Sequence, residues 1–168
     1  MHGWYIFSVW LHVMTAVAWI GGAIFLAAVI VPCLRRPELR AHAAMLIQVT
    51  GRRFSYIGWV CLLALVVTGI TNLIFKGVGP ALHSREFWIG PFGGLLAQKI
   101  GLVLVILMLS AVHDFFIGPR ALEAWRAHPQ SARTQRLRKA ASWMGRVNLL
   151  LSLIVVALGV MLWRGAPW

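Results

Sequence analysis

Four long apolar stretches, separated by shorter polar segments, dominate the pattern of this 168-residue chain. Each stretch exceeds the ~20 residues that a helix needs to cross the hydrocarbon core of a bilayer. The shorter alternating segments typical of a membrane-spanning β-barrel do not occur. The chain is therefore predicted to be an all-α polytopic membrane protein, a four-transmembrane-helix bundle in one domain over residues 1–168. The predicted spans are roughly 4–31, 54–75, 93–117 and 143–163.

Basic residues are concentrated in two of the three connecting segments. The chain has 16 Lys and Arg against 4 Asp and Glu, and its formal net charge is +12. The second connection contains only Lys76 and Arg85, whereas the first and third are rich in arginine. By the positive-inside rule, the first and third connections face the cytoplasm, and both termini lie outside. We therefore expect a multi-pass protein of the bacterial inner membrane, with the lipid bilayer and not nucleic acid as the partner of its positive charge.

Two features outside the spans can be predicted from local pattern. Residues 37–51 place Leu39, Ala43 and Leu46 on one face at helical spacing, which predicts a short cytoplasmic amphipathic helix. The second connection is rich in Gly and Pro and cannot be one continuous helix. The first apolar run is longer than the core of a signal peptide, so we expect it to be retained as a span.

Three ionisable side chains lie within the apolar spans, where such groups are costly and usually mark a functional site. They are His12 in the first span and Lys99 and His113 in the third. The helical face of His12 includes one glycine of the pair at 21–22, which would let a neighbouring helix approach closely. Lys99 could instead extend to the interface, and His113 could form a helix-end hydrogen bond with Asp114.

Depth divides these residues into two layers. At 1.5 Å per residue, His12 lies ~12 Å and Lys99 ~9 Å below the outer surface, whereas His113 lies ~30 Å down. Two ligands of one iron lie only ~4 Å apart, so His12 and His113 are not expected to share a metal. The outer layer is predicted to contain His12, Lys99, Thr68 and Asn72. The inner layer is predicted to contain His113, Arg52, Arg53, Arg146, Asn148 and, from the first connection, His42.

The chemistry of these residues favours a haem site. Neutral imidazole is a good axial ligand of haem iron, and helical bundles hold cofactors with inward-facing side chains. A copper pathway would favour clusters of Met and Cys, but the methionines are scattered and Cys33 and Cys61 belong to no paired motif. We therefore predict haem b as the cofactor, with copper as the alternative. His12 and His113 are the candidate metal ligands.

Two arrangements remain open at this point. In one, a single outer haem uses His12 and a second ligand from Lys99 or from the loop residue His83. In the other, two haems lie across the membrane and the inner one is held by His113. Arginines near the inner layer would suit haem propionates, a quinone or an anionic porphyrin. Those arginines are Arg52, Arg53 and Arg146.

Three segments of the sequence resemble two related membrane families. They are LHVMTAVAWIGGAIFL, QKIGLVLVILMLSAVHDFFIGPRA and the GRVN that opens the last span. The families are the membrane domain of the copper resistance protein D (CopD) family and the bacterial haem-containing protoporphyrinogen IX oxidase, HemJ. The resemblance implies a four-helix bundle that binds b-type haem. It matches the first-span histidine to His12, the third-span lysine and histidine to Lys99 and His113, and an Arg-x-Asn element to Arg146 and Asn148.

This chain departs from the oxidase pattern at two places. The oxidase typically has a tyrosine- and histidine-bearing segment after its first span, where this chain has Val31-Pro32-Cys33. It also has Asn-Glu-Pro at the last span, where this chain has Asn148-Leu149-Leu150. These departures make the chain more similar to the copper-resistance branch.

The resulting functional hypothesis is electron transfer, or oxidation of a reduced lipophilic or porphyrin substrate, by a haem b protein. A quinone, a porphyrin or a redox protein would be its partner. The alternatives are a copper transport or resistance permease and a small membrane-anchor subunit of a respiratory complex. Homo-oligomerisation or membership of a complex stays open.

Overall fold

The computed structural model describes residues 2–39 and 41–164. Four long helices account for most of them, and each is long and apolar enough to cross a membrane. The chain is an all-helical, four-span membrane bundle, which confirms the predicted fold class. The helices are α1 (Gly3–Cys33), α2 (Ala43–Phe75), α3 (Pro91–Ala127) and α4 (Ala132–Arg164).

The amphipathic segment at 37–51 is not a helix of its own. A single 3-10 turn covers Pro37–Leu39, and α2 then begins at Ala43 and continues into the second span without a break. Polar residues do not end a helix when their groups are satisfied within it. The Thr50 hydroxyl, for example, donates to the Leu46 carbonyl at 2.7 Å. Most of the predicted segment is therefore the inner extension of α2.

Two π-helical turns interrupt the regular helices, at Leu26–Ile30 in α1 and at His113–Ile117 in α3. A proline follows each turn, Pro32 in α1 and Pro119 in α3. Proline has no N–H for the carbonyl four residues earlier, so the helix must rearrange its hydrogen bonds there. Such turns are rare and occur often at functional sites. The second π turn begins at His113.

The second connection is built from short elements. A 3-10 helix covers Pro80–His83, and a short α-helix covers Arg85–Ile89. The Ser84 side chain accepts a hydrogen bond from the Phe87 N–H and so caps the short helix. Gly77, with φ of 70°, provides the turn that leaves α2. The expected break in helical structure is confirmed.

The helices pack as two antiparallel pairs, α1 with α2 and α3 with α4, and α1 also contacts α4. At one end, the Tyr5 ring lies 6.0 Å from that of Phe75 and 6.4 Å from that of Trp163. We call this the outer end, and the opposite end, with Arg52 and Arg126, the inner end, following the charge-based orientation. The start of α1 and the end of α4 therefore lie on the same side.

A small apolar core fills the middle of the bundle. Its buried members are Trp19, Cys61, Leu62 and Ile106. Close to it, α1 and α2 meet at Gly22, where a Cβ would lie 2.6 Å from a ring carbon of Phe54. A Cβ at Gly21 would have no neighbour within 4 Å. Gly22 thus accommodates the Phe54 ring of α2, and the helix packed there is α2.

Candidate functional site

His12 points into the bundle and is fixed by a hydrogen bond to α2. Its Nδ1 lies 2.7 Å from Thr68 Oγ1, and the Thr68 hydroxyl lies 2.6 Å from the Ala64 carbonyl oxygen. The hydroxyl has one proton, which it donates to Ala64, so it accepts from His12. Nδ1 therefore bears the imidazole proton, and Nε2 keeps a free lone pair. This is the neutral tautomer that can bind a metal through Nε2.

Two glycines pack against the ionisable residues of the outer layer. A Cβ at Gly69 would lie 3.6 Å from His12 Cε1, and a Cβ at Gly159 would lie 3.3 Å from Lys99 Nζ. His12 thus lies between α1 and α2, and half-buried Lys99 lies between α3 and α4 at a similar predicted depth. We call His12, Thr68, Gly69, Lys99 and Gly159 the outer site.

Two buried oxygen atoms next to the outer site have no hydrogen-bond partner within the described part of the chain. They are Ser8 Oγ and Asn72 Oδ1. Ser8 is one helical turn outward from His12, and Asn72 is one turn outward from Thr68. Unpaired buried polar atoms are uncommon in native proteins, and each one points to a missing water, ion or ligand. Sequence reasoning placed Asn72 in this layer but missed Ser8, which the four-residue spacing from His12 could have revealed.

His113 belongs to a second cluster, toward the inner end. Its Nδ1 lies 2.8 Å from Asp114 Oδ1, and Trp59 Nε1 donates to Asp114 Oδ2 at 3.1 Å. The Trp59 ring stacks on Phe115 at 5.6 Å between centroids. The hydrogen bond expected between His113 and Asp114 is thus present. The carboxylate also ties α3 to α2 through Trp59, which the sequence did not single out. We call His113, Asp114 and Trp59 the inner cluster.

The two histidines lie at different depths. His12 bonds to α2 at Thr68. His113 is connected to α2 through Asp114 and Trp59, and Trp59 lies nine residues before Thr68. That spacing corresponds to ~14 Å along the helix axis, far more than the ~4 Å between two ligands of one iron. The separation into two layers therefore holds for His12 and His113. The buried side chains of Trp19 and Cys61 lie in the core between them.

Asn148 lies in a polar contact between α3 and α4. Its Nδ2 donates to Ser110 Oγ at 3.0 Å, while its Oδ1 is buried without a partner among the described residues. Ser152 donates to the Asn148 carbonyl at 2.6 Å. This hydrogen bond spans one turn of α4. It joins Ser152 to the backbone of Asn148 and not to its side chain.

The basic residues of the predicted inner layer do not gather around His113. Long basic side chains can extend toward water, and these groups are exposed. In residues 2–39 and 41–164, none of them forms a hydrogen bond with His113 or Asn148. Two of them, Arg52 and Arg53, line an open groove of about 650 Å³ on the inner half of α2. The exposed residues are Arg52, Arg53, Arg146 and His42.

Within the described ranges, no group of three or more His, Cys, Asp or Glu side chains could hold a metal ion. Among the described residues, a metal at the outer site would therefore have at most one further histidine, cysteine or carboxylate ligand besides His12. A deprotonated Lys99 amine is the nitrogen of this layer that could add a second bond.

Comparison with known proteins decides the family. The family model of copper resistance protein D, CopD, matches residues 48–162, which include most of α2, all of α3 and nearly all of α4. The chain belongs to the CopD family. It is 35% identical over 154 residues to an uncharacterized protein of Aquifex aeolicus (strain VF5), a match that covers 89% of each chain. No solved structure matches it. The protein is thus a multi-pass inner-membrane protein of a family linked to copper resistance.

Proposed function

We propose that this CopD-family protein binds haem b at the outer site, through Nε2 of His12. The supporting observation is the hydrogen bond that fixes the ring. Thr68 accepts from Nδ1, which leaves Nε2 unprotonated and holds the imidazole in one orientation. Haem iron is bound by neutral imidazole, and a hydrogen bond at the other ring nitrogen commonly orients such a ligand.

Two glycines let the helices pack closely against the candidate ligands. A Cβ at Gly69 would lie 3.6 Å from His12 Cε1, and one at Gly159 would lie 3.3 Å from Lys99 Nζ. Lys99 is half-buried within α3, and its neutral amine would have a free lone pair, whereas His83, the other candidate for a second ligand, is exposed in the second connection. We therefore favour Lys99 over His83 as the second ligand. The unpaired oxygens of Ser8 and Asn72 provide polar groups on the outer side.

A haem bound there would supply one-electron chemistry inside the membrane. The protein residues would hold the group, fix its axial imidazole and keep bulk water away with the apolar core beneath. The corresponding activity is electron transfer, or oxidation of a reduced lipophilic or porphyrin substrate. A quinone, a porphyrin or a redox protein would be the partner. His113 is proposed as the ligand of a second, inner haem if two are bound.

Copper binding is the second candidate, and membership of the CopD family favours it. The free Nε2 of His12 would also suit copper. Transport of Cu(I), however, favours a succession of soft ligands. Cys61 lies in the apolar core, and the methionines nearest the outer site in sequence do not flank His12 on its own face. We therefore place copper behind haem b.

An absorption spectrum with pyridine-haemochrome quantification tests the proposal. The protein would be expressed with added haem as wild type, His12→Ala, His113→Ala and His83→Ala, and copper would be measured on the same samples. We expect a Soret band in wild type that is lost in His12→Ala and kept in the exposed-loop control His83→Ala. His113→Ala should keep the full haem content if the protein binds one haem. It should lose about half of the haem if the protein binds two.

The same samples can contradict the proposal. A wild-type protein without a Soret band, or a His12→Ala variant with full haem, would overturn it. Stoichiometric copper in wild type that is absent from His12→Ala would establish the copper alternative.

A further inference from the structure

The inner half of α2 presents two adjacent arginines that have no acidic partner. Arg52 and Arg53 are exposed, and both line the open groove of about 650 Å³. The one ion pair within residues 2–39 and 41–164 joins His113 to Asp114, so neither arginine is neutralised by a carboxylate there. Like charges held close together repel each other, and a bound anion would relieve that repulsion.

A third arginine lies beside the same groove. Arg126, near the inner end of α3, donates a hydrogen bond to Oε1 of Gln48. Gln48 lines the groove one helical turn before Arg52. The acidic residue on this part of α3, Glu123, is exposed and forms no ion pair in the described chain. The groove and its edge therefore carry a local excess of positive charge.

The groove lies at the depth of the lipid headgroups. The hydrocarbon core of a bilayer corresponds to ~20 helical residues. Phe75 contacts Tyr5 at the outer end, and about 20 residues counted inward from Phe75 end near Tyr56. Tyr56 is 75% exposed, as suits an aromatic residue at the membrane interface. Arg52 and Arg53 lie ~5 Å further inward, which is the level of the inner-leaflet phosphates.

An apolar stripe continues from the groove into the hydrocarbon core. Val60, Leu63 and Val67 follow Arg53 and Tyr56 at steps of three and four residues, so all five share one face of α2. The three apolar side chains are exposed. This face is therefore basic at the headgroup level, aromatic at the interface and apolar below it. A single helix face of this kind suits a flexible hydrocarbon chain with an anionic head more than a rigid macrocycle.

We propose that Arg52 and Arg53 bind the phosphate of an anionic phospholipid of the inner leaflet, with an acyl chain along the stripe from Tyr56 to Val67. A guanidinium group can donate two parallel hydrogen bonds to phosphate oxygens. A headgroup with an ammonium group would be repelled by the arginines, so phosphatidylglycerol should bind in preference to phosphatidylcholine. The inference does not depend on haem at His12.

Native mass spectrometry of the whole protein in a zwitterionic detergent tests the inference. The protein would be titrated with phosphatidylglycerol or with phosphatidylcholine of the same acyl chains. Wild type should bind the first phosphatidylglycerol about tenfold more tightly than phosphatidylcholine. The double variant Arg52→Gln/Arg53→Gln should lose this preference, because it keeps the apolar stripe but not the charge.

Arg133→Gln/Arg136→Gln is the matched control, because it removes two exposed arginines of α4 that do not line the groove. It should keep the preference for phosphatidylglycerol. Arg52→Lys/Arg53→Lys keeps the charge that orients the protein in the membrane but loses the planar donor group. It should weaken phosphatidylglycerol binding about threefold. Glycerol 3-phosphate, which has the headgroup chemistry without acyl chains, should not displace the lipid at equal concentration.

Three results would overturn the inference. The first is equal binding of the two lipids by wild type. The second is an equal loss of preference in both glutamine double variants, which would mean that net charge and not this groove attracts the lipid. The third is displacement of the lipid by glycerol 3-phosphate or by protoporphyrin IX, which would identify a soluble phosphate ester or a porphyrin as the ligand. If the Arg52→Gln/Arg53→Gln protein does not insert, wild-type affinity in Arg52→Lys/Arg53→Lys also overturns it.

Discussion

The outer site and the inner cluster each hold one histidine by its Nδ1 atom, but the partners come from very different places in the chain. His12 bonds to Thr68, 56 residues away on another helix. His113 bonds to Asp114, the next residue. The outer bond therefore exists only when α1 and α2 dock in the correct register. The inner bond can form within a single turn of α3.

The two partners also differ in charge and surroundings. Thr68 is a neutral, buried hydroxyl, whereas Asp114 is a carboxylate that also accepts from Trp59. Beside a metal-bound imidazole, a carboxylate raises the basicity of the ligand, while any hydrogen-bond acceptor fixes the ring orientation. His113 is 36% exposed, and its partner Asp114 is 16% exposed. The outer site is thus organised by tertiary packing and the inner cluster by local charge.

The largest expected effect is that of Thr68→Val, which keeps the side-chain shape but removes the hydrogen-bond acceptor. The His12 N–H would lose its partner, so we expect a stability loss of about 1–3 kcal/mol. Haem binding should weaken ~10–100-fold, as for other changes behind a metal ligand. Haem titration and thermal unfolding in detergent measure the two effects. Thr71→Val is the control, and equal behaviour of both variants would show that Thr68 does not orient His12.

Gly22→Ala tests whether the outer site depends on the docking of α1 onto α2. The new Cβ would lie 2.6 Å from the Phe54 ring, so the ring or the helix must move. Overpacking of this kind costs about 1–3 kcal/mol. We expect reduced thermal stability and weaker haem binding. Gly21→Ala should gain about 0.5–1 kcal/mol of stability and bind haem like wild type. If Gly22→Ala is destabilised but binds haem with full affinity, the outer site does not depend on this helix contact.

Asp114→Asn addresses the inner cluster. His113 and Trp59 bond to different oxygens of the carboxylate, so in the amide one of the two would face the NH2 group, which only donates. We expect a loss of about 1 kcal/mol in thermal unfolding and no change in haem at His12. Glu123→Gln, which neutralises an exposed carboxylate further along α3, should change neither quantity. A large loss of haem in Asp114→Asn would mean that the two regions are coupled.

The comparison also shows what the sequence could predict. The depth of His12, Lys99 and His113 followed from the constant rise of a helix, so their division into two layers was accessible. Helical phase likewise showed which face of α1 contains His12. It does not show how one helix is rotated against another. The cross-helix partners Thr68 and Trp59 therefore needed the structure, although Thr68 had been placed at the correct depth.

The arginines of the predicted inner layer illustrate a second limit. They were predicted at the cytoplasmic ends of the spans, and proximity in depth suggested a common site with His113. The helices continue past that depth, so these residues lie within α2 and α4. A long side chain there can extend toward water instead of into the bundle, and Arg52, Arg53 and Arg146 are all exposed. The start of α2 was also mispredicted. Its polar first turns remain helical because their hydrogen bonds are satisfied within the helix, so α2 begins at Ala43.

The smallest expected effect concerns the α4 side of the outer site and uses two glycines of one helix. Replacing a helical glycine by alanine stabilises the helix by about 0.5–1 kcal/mol. Gly145→Ala should show this full stabilisation, because a Cβ there would have no neighbour within 4 Å. At Gly159 the new Cβ would lie 3.3 Å from Lys99 Nζ, so the end of the lysine side chain must shift by a few tenths of an ångström.

Gly159→Ala should therefore be less stabilising than Gly145→Ala by about 0.5 kcal/mol, a difference that thermal unfolding of the two variants can resolve. It should also alter the haem spectrum slightly if Lys99 is the second ligand, whereas Gly145→Ala should not. Equal stabilisation would mean that the end of Lys99 moves freely and that α4 does not define its position. In that case the outer site would depend on α1 and α2 alone, and its contrast with the inner cluster on α2 and α3 would be sharper still.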